Sequence, residues 1–125
     1  MEFFIWVDGW QHECCGDPFS VGDDVTWAVN GADKKWLSAT LGTGLAESIR
    51  YSEEHHDGPT SRTVNATVLG IKAAHCSYGT PDPQMKISRP VVGSTVLQAM
   101  TSTPSETPRL AKKDFAGYIV SVRER

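Results

Sequence analysis

Three of the 125 residues are cysteine and four are histidine, and most of them fall into three short clusters: Cys14-Cys15 with His12 close by, His55-His56, and His75-Cys76. Thiolates and imidazoles are the ligands zinc prefers, and a structural zinc site takes four of them in a tetrahedron. Three clusters on three separate loops supply such a set if the fold gathers those loops at one end. The candidate metal ligands are therefore Cys14, Cys15, His55, His56, His75 and Cys76. The spacing argues the other way. No Cys-x-x-Cys pair is present, and consecutive residues usually point apart. The plainer reading makes one of the adjacent cysteines a small buried apolar group and His55-His56 part of a solvated loop. Zinc is the one cofactor the sequence raises, and it is not one the sequence requires.

Thiol catalysis draws on the same residues. A Cys15 thiolate would need an imidazole to lower its pKa and a third group to orient that imidazole. His56 with Asp57 or Glu54, or else His75, has the right chemistry, and the turn at Cys15-Gly16 has backbone amides for an oxyanion. No signature of a known thiol enzyme accompanies them. The aromatic residues give a third reading. Trp6 and Trp27 lie in strand-like runs and are expected in the core. Trp10 follows the Asp8-Gly9 turn beside the cysteine loop, where an exposed indole would anchor a peptide or small ligand. Trp10, Gln11, Cys15 and His56 are the expected ligand contacts. Glu13, Asp17, Asp23 and Asp24 flank that loop, but Asp next to Gly is turn chemistry first. Gly42-Thr43-Gly44 lacks the lysine and following hydroxyl of a phosphate loop.

The elements that must position these residues are mostly strands. In Glu2 to Asp8, Phe3, Ile5 and Val7 face one side, and Phe4 and Trp6 the other, which suggests a central strand or one covered on both faces. After the Gly22-Asp23 turn, Val25, Trp27 and Val29 alternate with Asp24, Thr26 and Ala28. Asp33 is placed to cap a short helix through Leu41, with Gly42 as its stop. A second helical turn is expected from Gly44 to Tyr51, and a loop from Ser52 to Ser61. Arg62 to Ala74 is the longest strand, and its apolar phase flips at Leu69-Gly70-Ile71, the mark of a bulge or bend. Ser77 to Pro90 reads as an irregular connection, and Pro90 to Met100 holds one short strand. Gln98 to Pro108, rich in Ser, Thr and Pro, reads as the most mobile stretch. Phe115 to Val122 alternates again, with Tyr118, Val120 and Val122 inward. The sum is a single domain, residues 1–125. It is mainly β: a small antiparallel barrel or barrel-like curled sheet with one or two short helices.

Composition narrows the partners. A net charge of −3 with scattered basic residues gives no positive stripe, which disfavours nucleic acid, because neutralising phosphates supplies much of that affinity. No apolar run reaches the length of a membrane span. The apolar run Phe3 to Val7 is too short for a signal peptide, and an odd cysteine count is a poor disulfide framework. Both point to the cytoplasm.

The opening Trp6-Val7-Asp8-Gly9-Trp10-Gln11, followed by Cys14-Cys15-Gly16, Pro18-Phe19, Val21-Gly22-Asp23, Val25 and Trp27, resembles a family of small uncharacterised proteins found mainly in actinobacteria. Glu53-Glu54-His55-His56 and Gly117-Tyr118-Ile119-Val120 extend the likeness. The resemblance implies a bacterial, cytosolic setting and no particular activity. The resulting expectation is a non-enzymatic binding or accessory module that presents the loop from Trp10 to Phe19 to an unknown protein or small molecule. The alternative is a small metal-dependent or thiol-dependent enzyme using Cys14 or Cys15 with His55, His56 and His75.

Overall fold

The computed structural model describes residues 1–9, 17–54, 61–79, 89–91, 93–104 and 108–125. In chain order the elements are β1 (Glu2–Asp8), β2 (Asp24–Gly31), α1 (Lys34–Leu41), α2 (Thr43–Ser48), β3 (Ile49–Glu53), β4 (Arg62–Cys76), β5 (Tyr78–Gly79), β6 (Arg89–Pro90), β7 (Val96–Met100) and β8 (Asp114–Glu124). The strand order is β2-β3-β1-β8-β4-β7, and β2 also pairs with β4, which closes five strands into a barrel. Strand β7 lies outside the closed ring, bonded to the second half of β4 at Ile71–His75. The expected barrel is present with one difference. Strands β1 and β3 run parallel, with Ile5 opposite Tyr51 and Trp6 opposite Ser52. Parallel neighbours need a long connection between them, and here it is β2 together with both helices.

The barrel has an inner and an outer apolar layer. Inside, Phe3, Ile5, Val7, Val29, Val64, Ala66, Val68, Ile71, Ala73, Tyr118, Val120 and Val122 form one cluster. Outside, Trp6, Ile49, Ala74, Cys76 and Ile119 pack beneath Leu37 and Ala46 of the helices. The two-sided pattern of β1 is explained by this: its even-numbered residues lie under the helical layer. Asp33 caps α1 by accepting from Trp36 N–H at 3.1 Å, and Gly42, at φ 91°, ends it. The second helix stops earlier than expected, at Ser48. Ile49–Glu53 is strand, because Ile49 is fully buried and β3 finds hydrogen-bond partners on both sides, in β1 and β2. Lys34 helps set that stop, since its Nζ donates to the carbonyls of Ala46, Glu47 and Ile49 at the C-terminal end of α2.

The phase flip in β4 is a bulge. Val68 stands opposite Val122 and Gly70 opposite Ser121, so Leu69 is the extra residue. Even-numbered residues face inward before it and odd-numbered ones after it. The stretch expected to be most mobile is tied down in part. Its first residues belong to β7, and Thr103 is buried and doubly bonded to Phe19: Phe19 N–H donates to Thr103 Oγ1 at 3.0 Å, and Thr103 N–H donates to Phe19 O at 2.9 Å.

Where β1 crosses β8, a Cβ on Gly117 would lie 2.5 Å from Val7 O and 2.6 Å from the Trp6 indole. The strand backbone and the indole occupy the space a side chain would need. Gly117→Ala is therefore expected to destabilise the fold by about 1–3 kcal/mol through overpacking. Gly70→Ala, whose Cβ would meet Ser121 Cβ at an ordinary 3.8 Å, is the milder comparison. Thermal unfolding of both variants checks this; equal melting temperatures would contradict it.

Candidate functional site

Of the candidate ligands, Trp10, Gln11, Cys14, Cys15, His55 and His56 lie outside the described residues, as do His12 and Glu13. His75 and Cys76 are the last two residues of β4, paired with Phe115 and Asp114 of β8, and both are fully buried. The structure turns them to opposite faces. The His75 ring lies 5.8 Å from that of Phe115, which packs on the inner cluster, and its Nε2 donates to Gln98 Oε1 at 2.9 Å. Its Nδ1 is buried with no hydrogen-bond partner among the described residues. Cys76 instead joins the outer layer with Trp6, Leu37 and Ile119. Among the described residues, no group of three or more His, Cys, Asp or Glu side chains is placed to hold a metal ion.

The chemistry at Cys76 follows from its surroundings. Burial pushes the thiol above its ordinary value of 9.0, the Asp114 carboxylate pushes in the same direction, and a hydrogen bond with Tyr78 and the charge of Lys113 pull against them. Burial, the neighbouring Cys76 and the carboxylates of Asp8 and Asp114 together push the Tyr78 hydroxyl up to about 12. A thiol held protonated near neutrality is a poor nucleophile. Cys76 is expected to react slowly with alkylating reagents at pH 7–8 in the folded protein and quickly once unfolded. Because both groups keep their protons to higher pH when folded, the unfolded chain binds fewer protons above pH 9.0, and stability falls as pH rises through that range. A Cys76→Ala, Tyr78→Phe variant should flatten this alkaline loss in melting temperature. An unchanged slope would show that other groups control it.

Among the described residues, one concave site lies where the segment ending in Phe19 meets β2 and the end of β3. It is an open groove of about 520 Å³ whose lining includes five carboxylates, Asp17, Asp23, Asp24, Glu53 and Glu54, together with Phe19, Thr26 and Trp27. Each acid is placed by backbone structure. Asp23 closes a turn, with Ser20 N–H donating to its Oδ2 at 2.8 Å and Val68 N–H to its main-chain oxygen at 2.8 Å. Asp24 opens β2 and accepts from Thr67 Oγ1 at 2.6 Å. Glu53, only 4% exposed, ends β3 opposite Val29, and Glu54 N–H donates to Ala28 O at 2.9 Å. The Trp27 ring is half-buried and braced edge-on by Phe19, with centroids 5.0 Å apart. Arg125 approaches Asp24 at 3.8 Å, an exposed contact of small energetic weight.

Sequence reasoning found part of this groove. Asp17, Asp23 and Asp24 stood out as flanking the loop, and their turn role is confirmed at Asp23. It assigned Trp27 to the core alone and did not join Glu53 and Glu54 to the set, because the end of β3 was read as loop.

Fold and site thus define a small closed β-barrel with a helical layer on its outer face and an acid-lined aromatic groove. Residues 1–124 match the family described as a family of unknown function, DUF6578, and the chain belongs to that family. No curated protein and no solved structure matches it. Among the described residues, no helix is long and apolar enough to cross a membrane.

Proposed function

We propose that this chain is a non-enzymatic binding module whose ligand is cationic, an arginine- or lysine-bearing peptide or a small organic amine, taken in the groove over Trp27. The observation that carries the reading is the lining: five carboxylates around one half-buried indole, in about 520 Å³. That volume is in the range of small-ligand sites. Carboxylates pair with guanidinium and ammonium groups, and an indole face attracts the same cations. A groove of this sign repels phosphate, which agrees with the absence of a basic stripe in the sequence. Asp17, Pro18 and Phe19, the end of the loop expected to meet a partner, form one wall. Trp10, Gln11, Cys15 and His56 are kept as candidate ligand contacts in this proposal on the sequence alone. A bacterial cytoplasm suits it, and Cys76 is a free thiol. The alternative, a metal-dependent or thiol-dependent enzyme, rests on Cys14 or Cys15 with His55, His56 and His75.

The test is calorimetric titration of the purified protein with short arginine- and lysine-containing peptides and with matched acidic peptides. The cationic peptides should bind, and salt should weaken them. Asp17→Asn and Glu54→Gln should each cost about 0.5–1 kcal/mol of affinity, the range of exposed ion pairs. Equal binding of acidic peptides, or indifference to both substitutions, would remove the groove as the site.

A further inference from the structure

Strand β7 gives the sheet an open edge. Val96–Met100 bonds to β4 on one side, with Ala73 opposite Gln98 and Ala74 opposite Leu97. On its other side no backbone partner is found among the described residues. Four of its five residues are exposed, including Val96 at 43% and Leu97 at 38%. Tyr78, Val91 and Val21, also exposed apolar residues, lie on the nearby β5–β6 segment and on the strand-like segment bonded to Thr101. Natural sheet edges are normally guarded by charge, proline or a bulge. Here no charged residue occurs between Arg89 and Glu106, and β7 itself carries neither charge nor proline.

We propose that β7 is a dimerisation edge, and that its occupant is β7 of a second copy of this chain, paired antiparallel about a two-fold axis at Gln98. The sequence is self-complementary in that register. Val96 falls opposite Met100, Leu97 opposite Ala99, and Gln98 opposite itself, so apolar meets apolar on both faces of the pair. A charged partner strand would bring uncompensated charge against this edge, whereas a second copy brings a neutral edge of the same length. The neighbouring surface fits the same arrangement. Ala99 lines a groove of about 270 Å³ with Phe4, Leu69, Met100 and Ile119, and Lys72, its partner in β4, brings one charge to the same lining. Leu97 of the second copy, standing opposite Ala99, is the side chain that reaches this groove. The two-fold operation repeats the contact and joins the two sheets into one.

Sedimentation velocity of the full chain over about 1–300 µM tests the proposal by mass action. The expected result is a concentration-dependent monomer–dimer equilibrium. Leu97→Glu and Ala99→Lys should each weaken it by about tenfold or more, because each puts a charge where two apolar side chains meet. Mixing the two variants should restore association, since Glu at position 97 then faces Lys at position 99. Circular dichroism melts confirm that both variants fold. Should either fail to fold, amide exchange of residues 96–100 in the unmodified protein decides, with protection that rises with protein concentration if the edge pairs. A monomer at every concentration, a dimer indifferent to both substitutions, no recovery in the mixture, or exchange independent of concentration would each overturn it.

Discussion

Strand β4 bonds to β2 with its first half and to β7 with its second, while β8 runs beside most of its length. A straight strand would carry one face inward throughout and could not turn from the first neighbour to the second. The bulge at Leu69 solves this. One extra residue flips the inward set from Val64, Ala66 and Val68 to Ile71 and Ala73, and the local bend lets β2 meet β4 and close the ring. The inward set of β4 changes at that residue, between the half bonded to β2 and the half bonded to β7.

Closure also explains the second apolar layer. Strand β1 lies between parallel β3 and antiparallel β8, so both of its edges are bonded and both of its faces must be covered. The inner face meets the core. The outer face, with Phe4 and Trp6, meets the helical pair through Leu37, Trp36 and Ala46. Gly117 lets β8 approach closely enough for Trp6 to lie across it. Cys76 is sealed into the same layer, which is why its thiol is held protonated.

With one face under helices, the acid-lined groove lies along β2 and the end of β3. The acids of the groove come from a turn, a strand start and a strand end, all short segments fixed by backbone hydrogen bonds. The β7 edge presents the opposite chemistry, neutral and apolar.

Periodicity alone identified β1, β2, β4 and β8, the α1 cap at Asp33 and the bend at Leu69-Gly70, because alternation and capping are local properties written in consecutive residues. It ran the second helix on to Tyr51 and so missed β3, since Ile49–Glu53 has weak alternation and is held as strand by neighbours remote in sequence. The same remoteness hid the groove. Glu53 and Glu54 lie some thirty positions from Asp23 and Asp24 along the chain, and only the parallel placement of β3 beside β1, with β2 on its other edge, brings them together. His75 and Cys76 show the limit from the other side: their adjacency in sequence made them look like one cluster, but a strand sends consecutive side chains to opposite faces. Composition and local pattern determined that this chain is a small β-rich barrel former, while strand neighbours and faces, which depend on contacts far apart in sequence, were decided by tertiary structure alone.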